Sequence, residues 1–190
     1  MRLDKFIGHT TSLSRAEAKK SIKKGVLVNG RIVKTPDFKI DEFKDEVIVN
    51  EEKLIYQKYI YIMMNKPKDI ISATEDNKIK TVVDILDEQE RIFKPFLVGR
   101  LDKDTEGLML LTNDGDLAHK LTSPKKDIVK KYYVEVFGTI EDMHITYFKK
   151  GVILDDGYKC KSAILDILTS NETGSKAYIY ITEGKFHQVK

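Results

Sequence analysis

A polar loop followed directly by an apolar strand is the feature that most constrains how this chain folds. Residues 98–115 read VGRLDKDTEGLMLLTNDG, with three acidic residues and an arginine within residues 100–106 and the apolar run Leu108–Leu111 just after them. Unpaired charges are costly to bury, so the charged part is expected to lie at the surface, whereas the apolar run indicates a core strand. A polar loop fixed to a core strand is a common place for reactive groups.

Composition sets the broad class of protein. With 190 residues, of which 41% are hydrophobic, the chain is long enough for one or two compact domains. It has no apolar run of the length that a membrane span needs and no signal-peptide pattern, which predicts no membrane contact. Cys160 is the single cysteine, so an intramolecular disulfide is excluded. We therefore expect a cytoplasmic protein without a metal site.

The positive charge is concentrated at one end of the chain. The formal net charge is +3, yet residues 1–34 contain nine Lys and Arg against two acidic residues, a balance of +7. Residues 35–58 carry −3 and residues 59–190 carry −1. Such a concentrated basic segment favours a polyanionic partner.

The basic segment is predicted to begin with two helices. The spacing of Leu3, Phe6 and Ile7 predicts a short first helix. Residues 14–17 read SRAE, a capping box, which predicts a second helix that is ended by Gly25 in a left-handed conformation.

The second helix is predicted to have one basic face. Its cations are spaced four residues apart or flank those positions, opposite the apolar Ala18 and Ile22. A solvated lysine face is the usual meaning of such a run, but the uneven charge of the segment favours contact with phosphates. These cations are Arg15, Lys19, Lys20, Lys23 and Lys24.

The rest of the segment predicts a hairpin, because Asn29-Gly30 separates two β-branched runs. The sequences RLDK at residues 2–5, SRxxA at 14–18 and VxVNG at 26–30 resemble the S4 RNA-binding domain, over about residues 1–48. The resemblance implies structured RNA as the partner. The implied contact residues are Arg2, Lys5, Arg15, Lys19 and Lys23, and we assign Lys20, Lys24, Asn29 and Arg31 to the same predicted surface.

A second domain is predicted after a short connection. The apolar run Tyr59–Met64 predicts its first strand, ended by Asn65-Lys66-Pro67 because proline cannot donate to a β-ladder. Residues 81–86 predict a short helix. The predicted organisation is an S4 domain at residues 1–50, a polar linker at 51–58 and a catalytic domain at 59–190.

The loop at residues 100–106 offers carboxylates as reactive groups. Its acidic spacing imitates an EF-hand, but Asn113 occupies the twelfth position, where calcium needs a glutamate, so calcium is excluded. In an extended segment Arg100 and Asp102 share a face, and Arg100 would keep Asp102 ionised. An ionised carboxylate acts as a nucleophile or general base; an Asp–Arg turn lock is an equally open interpretation of this spacing.

The sequence GRLDxxTxGLxLLTxDG at residues 99–115 resembles the signature of RNA pseudouridine synthases. More narrowly, the chain resembles their small-subunit ribosomal RNA branch, in which an S4 domain precedes the catalytic domain. The resemblance covers essentially the whole chain. It implies that Asp102 is the essential aspartate and that Arg100 enters the gap left by the flipped base.

Further segments extend this resemblance. Lys130 and Tyr132 match a Lys-x-Tyr element, which implies a tyrosine ring against the target uracil. Residues 182–190, TEGKFHQVK, match a third motif with Lys190 at its basic position, and Phe186 to Lys190 fit the small-subunit branch. Family members usually continue beyond this motif, so we expect a longer catalytic domain. Asn65-Lys66-Pro67 matches an early, structural motif.

The resemblance implies a reaction, a substrate and a fold. The reaction converts uridine to pseudouridine in ribosomal RNA without a cofactor or metal, on a base flipped out of its stack. The favoured substrate is 16S rRNA at the family's uridine-516 site, free or in assembling small subunits, with the enzyme a monomer. A 23S rRNA synthase and a non-catalytic assembly factor are the alternatives. The implied fold class is α+β, with a small S4 helix-hairpin domain followed by a mixed, mostly antiparallel sheet flanked by helices.

Overall fold

The helices predicted near the N-terminus are present in the computed structural model, which describes residues 1–185 and 187–190. Helix α1 spans Leu3–Thr10 and helix α2 spans Arg15–Lys24. The predicted capping box forms, because the Glu17 amide donates to Ser14 Oγ (3.3 Å) and the Ser14 amide donates to Glu17 Oε2 (2.8 Å). Gly25 ends the helix with a positive φ of 115°, as predicted, but its ψ of 126° lies outside the left-handed helical region. The chain instead passes straight from the helix into a strand.

A four-stranded antiparallel sheet completes this N-terminal module. Its strands are β1 (Val26–Val28), β2 (Arg31–Val33), β3 (Val47–Val49) and β4 (Glu52–Leu54), in the order β2-β1-β3-β4. The predicted hairpin is confirmed, with positive φ at Asn29 (49°) and Gly30 (76°). Strand β4 lies inside the predicted linker, 51–58, and pairs with β3. Asn50 and Glu51 reverse the chain there through two positive φ values, of 51° and 68°.

The apolar faces of these elements form one core. Leu3, Phe6, Ile22 and Val47 are fully buried in it. Burial of each such side chain stabilises the module by about 1.5–3 kcal/mol relative to an exposed one.

A three-stranded antiparallel sheet positions the loop singled out from the sequence. Its strands are β5 (Tyr61–Lys66), β6 (Phe96–Val98) and β7 (Gly107–Thr112), in the order β5-β7-β6, and helix α3 (Glu88–Ile92) precedes β6. The strand predicted at Leu108–Leu111 is confirmed as the central β7. The first strand of this sheet is predicted at residues 59–64. The observed strand, β5, starts and ends two residues later, because its pairing with β7 continues until Lys66 lies opposite Gly107.

The helix predicted at residues 81–86 is wrong, because long-range contacts hold this segment as a bridge and a turn. Thr81 forms an isolated parallel bridge with Ile71, and the Val82 amide donates to the Ile71 carbonyl (3.1 Å). The Asp84 carboxylate accepts from the Thr81 amide (2.7 Å) and closes the turn.

The chain divides into two compact units, residues 1–118 and 119–190, and helix α4 (Gly115–Thr122) crosses the boundary. The second unit contains the antiparallel sheet β8-β10-β9 and helix α5. Their bounds are β8 (Lys130–Val136), α5 (Asp142–Lys150), β9 (Ile164–Asn171) and β10 (Gly174–Ile181). Ala177, Ile179 and Ile181 of β10 are buried, and Phe148 of α5 packs on them.

The predicted α+β class is confirmed, with about 23% helix and 30% strand. Within the described ranges, no helix combines the length and apolar character that crossing a membrane requires.

Candidate active site

Asp102 lies in the loop that joins the edge strand β6 to the central strand β7. Its side chain is half-buried, while Arg100 is exposed. The Thr105 amide donates to the Asp102 carbonyl (3.1 Å) and closes a turn directly after the aspartate. The loop therefore carries a half-buried carboxylate on a backbone that is fixed by a turn directly after it.

Hydrogen bonds hold this loop on both sides of Asp102. Before it, buried Ser72 accepts from the Leu101 amide (3.0 Å) and donates to the Leu101 carbonyl (2.5 Å). After it, the Asp69 amide donates to the Lys103 carbonyl (2.9 Å). Residues 101 and 103 are thus both attached to the segment that follows β5.

Lys66 provides the third attachment and is fully buried. Its Nζ donates to the carbonyls of Thr105 (2.8 Å), Lys103 (3.2 Å) and Pro67 (3.0 Å). Burial lowers the pKa of Lys66, and the nearby carboxylates of Asp104 and Asp102, with those of Asp69 and Glu106, act in the opposite direction. Sequence reasoning classed Lys66 as part of a structural motif but missed its hold on the loop.

The Asp–Arg turn lock stays an open interpretation of this loop, in which the Thr105 amide closes the turn on the Asp102 carbonyl (3.1 Å). The catalytic roles assigned to Arg100 and Asp102 stay predictions.

Tyr132 and Lys190 belong to the second unit. Tyr132 lies on β8 directly opposite Ile179 of β10, half-buried against the core of the sheet. Lys130, two residues earlier, starts β8. Lys190 is exposed, and its amide donates to the His187 carbonyl (3.1 Å). Phe186, which contributes to the branch assignment, lies outside the described residues.

The structure places the predicted RNA-binding cations of α2 on its surface. Arg15, Lys19, Lys20, Lys23 and Lys24 are all exposed, while Ala18 and Ile22 face the core. Lys5 on α1 and Arg31 on β2 are exposed as well. The predicted separation of a basic face from an apolar face on α2 is confirmed, although RNA contact by these residues stays a prediction.

Asp4 contacts two of the predicted RNA-binding cations, Arg2 and Arg15, a role that sequence reasoning missed. Its carboxylate is fully buried and accepts two hydrogen bonds from Arg2, from Nε and Nη2 at 3.0 Å each. Arg15 Nε lies 3.6 Å from the same carboxylate. These hydrogen bonds lower the pKa of Asp4, burial opposes this effect, and the charges of Arg2 and Arg15 add to the lowering.

Asn29 differs from the other predicted contacts, because its side-chain amide is already used within the module. Nδ2 donates to Asp45 (2.9 Å) and Oδ1 accepts from the Glu46 amide (2.8 Å). These bonds tie the hairpin turn to the segment before β3.

Comparison with known protein families now identifies the chemistry. Residues 60–190 match the RNA pseudouridylate synthase family, and residues 1–47 match the S4 domain. The chain belongs to the RNA pseudouridine synthase family. It is therefore an enzyme that isomerises uridine to pseudouridine in RNA.

Relatives and a solved structure match the synthase along its whole length. It is 46% identical over 191 residues to an uncharacterized RNA pseudouridine synthase of Bacillus subtilis, covering 100% of this chain and 80% of that protein. It is 36% and 35% identical to the ribosomal small subunit pseudouridine synthases A of Escherichia coli and Haemophilus influenzae, covering 81% of each. A crystal structure of a pseudouridylate synthase matches with a TM-score of 0.63 and 35% identity, covering 100% of this chain and 80% of that chain.

Proposed function

We propose that the synthase modifies the small-subunit ribosomal RNA, 16S rRNA, at the uridine-516 site of the family. Its full-length similarity to two small-subunit synthases supports this substrate. We place the reaction in the cytoplasm, carried out by a monomer on RNA that is free or in assembling small subunits.

The observation that carries the catalytic assignment is the anchoring of the Asp102 loop. Buried Ser72 and buried Lys66 fix the backbone just before and just after the aspartate. A catalytic carboxylate must be held within a fraction of an ångström of its target. A surface carboxylate without such a task has no need of two buried polar anchors.

The proposed reaction breaks the C1′–N1 bond of uridine, rotates the uracil and joins C5 to C1′. The proton of C5 leaves and N1 ends protonated, so nothing is consumed. Before this, the target base must leave its stack, which costs a few kcal/mol, on the order of one stacking interaction. Unpaired RNA reduces this cost compared with a duplex.

Asp102 is the proposed catalytic carboxylate. Three steps suit a carboxylate beside the nucleoside: attack at C1′, attack at C6, and removal of the 2′ proton. Arg100, exposed two residues before it, is proposed to enter the space that the flipped base vacates. Tyr132 is proposed to stack on the uracil, and Lys190 to supply positive charge near the RNA.

The N-terminal module is proposed to supply affinity for RNA that offsets the cost of base flipping. The exposed cations of α2 suit contact with phosphates, which depends little on sequence. Site selection is then left to the catalytic domain and to the shape of the RNA.

Pseudouridine mapping by carbodiimide labelling and primer extension tests this proposal. Unmodified 16S and 23S rRNA, each free and in assembling particles, would be treated with the enzyme and with its Asp102→Asn variant. We expect one new stop in 16S rRNA, at the proposed site, that Asp102→Asn abolishes while RNA binding is retained.

Each other outcome contradicts a defined part of the proposal. A stop in 23S rRNA alone would move the enzyme to the large subunit. Equal loss of turnover and RNA binding in Asp102→Asn would remove the catalytic assignment. Tight binding with no stop in either RNA would favour an assembly factor.

A further inference from the structure

Glu183 is a buried carboxylate at the base of the third motif. Only 6% of its surface is exposed. It accepts hydrogen bonds from Tyr158 Oη (2.8 Å), the Lys161 amide (2.7 Å) and Gln188 Nε2 (3.0 Å). A buried carboxylate is costly unless it is hydrogen-bonded in this way, so its presence calls for an explanation.

One of these donors connects Glu183 to the end of the third motif. Gln188 donates to Glu183 through Nε2, and its Oε1 accepts from the Lys185 amide (2.9 Å). The Gln188 amide in turn donates to the Lys185 carbonyl (3.2 Å), and the Lys190 amide donates to His187 (3.1 Å). The turn that ends on Lys190 is thus attached to the buried carboxylate.

A second donor connects Glu183 to the segment before Tyr132. The Lys161 amide donates to Glu183, and Lys161 Nζ donates to Asp127 Oδ1 (2.8 Å) and to the Pro124 carbonyl (3.4 Å). Pro124–Lys126 form a short 3-10 helix that ends at Asp127, a turn three residues before β8, the strand of Tyr132. Lys161 therefore links the two regions, because its amide donates to Glu183 and its side chain donates to this turn.

We propose that Glu183 is a positioning residue of the pseudouridine synthase reaction, which holds the turn of Lys190 and the turn before Tyr132 in fixed relation to each other. This inference rests on the proposed site roles of Tyr132 and Lys190. Glu183 itself is assigned no contact with the RNA.

The chemistry of the carboxyl group agrees with this role. Burial raises the pKa of Glu183, but the hydrogen bonds from Lys161, Tyr158 and Gln188 outweigh burial and hold its pKa below the usual range. The group is therefore a permanent acceptor at neutral pH.

Two substitutions at position 183 separate geometry from charge. Glu183→Ala removes the three hydrogen bonds that the carboxylate accepts. Glu183→Gln keeps an oxygen for Lys161 and Gln188, and its new NH₂ group finds an acceptor in the Tyr158 hydroxyl. A role in positioning predicts that Glu183→Ala lowers turnover strongly and that Glu183→Gln retains most of it.

Ser175→Ala is the matched control. Ser175 lies at the other end of β10, is equally buried, donates to the Gly138 carbonyl (2.6 Å) and accepts from the Ile140 amide (3.0 Å). Loss of the Ser175 hydroxyl removes buried hydrogen bonds from the same sheet but leaves the three hydrogen bonds of Glu183 intact. Gln188→Ala is a milder second variant, which detaches only the turn of Lys190.

Turnover is measured as tritium released from C5 of bulk [5-³H]uridine-labelled RNA from cells that lack the enzyme, at a temperature where every variant is folded by circular dichroism. This readout needs no knowledge of the target site, so an error in the proposed 16S substrate does not affect it. RNA affinity is measured in parallel.

We expect Glu183→Ala to lower kcat by up to about 100-fold, as a shift of about 1 Å in a site does, with RNA affinity unchanged. Gln188→Ala should lower kcat as well, Glu183→Gln should restore most of it, and Ser175→Ala should leave it unchanged. The proposal is overturned if Glu183→Ala or Gln188→Ala lowers kcat no more than Ser175→Ala does, or if glutamine fails to rescue alanine.

Discussion

At the scale of single residues, Lys66 connects the fold of the synthase to its proposed catalytic loop. It lies at the last position of β5, and its ammonium group reaches carbonyls on both sides of a turn in the Asp102 loop. A buried ammonium group is tolerated where several acceptors replace its water. The three carbonyls that surround Lys66 do this, and the same bonds fix the loop.

Lys66→Met is therefore expected to destabilise the protein and to lower its turnover. The change leaves carbonyls of Pro67, Lys103 and Thr105 without this donor, which costs about 2–3 kcal/mol. Urea unfolding gives the stability, and tritium release gives the turnover of the folded enzyme. Lys68→Met, a change of the same kind at an exposed position, is the control. Equal stability of the two variants would show that Lys66 does not hold the loop.

The lowered pKa of Asp4 predicts how the stability of the synthase depends on pH. Its pKa is lower in the folded state because of Arg2, so its contribution is complete above the pKa of the unfolded chain and is lost as pH falls through the folded value. We expect this loss to begin below about pH 4. Asp4→Asn should destabilise the protein at pH 7 and flatten the acid limb of its stability curve. Asp155→Asn, at an exposed position, should leave that limb unchanged; equal curves for Asp4→Asn and the wild type would contradict the prediction.

At the scale of helices and strands, local signals were predictable from sequence and long-range ones were not. The capping box of α2 and the Asn29-Gly30 turn involve neighbouring residues, and both formed as predicted. The end of β5 and the fate of residues 81–86 depend on pairing with distant segments, which no local pattern encodes.

The candidate site divides in the same way. The position of Asp102 could be predicted, because its loop and the following strand are contiguous in sequence. Its anchors could not be predicted, because Ser72 is 29 residues from Leu101 and Lys66 is 39 residues from Thr105 along the chain. The bonds to Glu183 from Tyr158 and Lys161 are hidden for the same reason, since these donors lie 25 and 22 residues away along the chain.

The capping box of α2 makes a prediction at this scale. Ser14→Ala should lower the free energy of unfolding by about 1 kcal/mol, because the Glu17 amide loses its acceptor at the helix start. Ser14→Thr keeps the hydroxyl and should cost less. Chemical denaturation of both variants checks this, and equal losses would show that the side-chain oxygen contributes nothing.

At the scale of the whole molecule, charge is divided unequally along the chain. Residues 1–34 carry a charge of +7. Since the net charge of the chain is +3, residues 35–190 together carry −4. The exposed cations of α2 contribute much of this excess, and the apolar residues between them face the core. Attraction of RNA to the synthase should therefore depend on the N-terminal module rather than on overall charge.

Charge reversal on α2 tests this distribution. Lys19→Glu combined with Lys23→Glu is expected to weaken RNA binding and to flatten the slope of log affinity against log salt by about one to two, since each lost phosphate contact removes about one released counterion. Lys149→Glu combined with Lys150→Glu changes the net charge equally, in the last turn of helix α5. If attraction depended on net charge alone, the two double variants would bind alike. If it depends on a phosphate-binding face of α2, only the first changes the slope, and fluorescence anisotropy titrations between low and physiological salt distinguish the two.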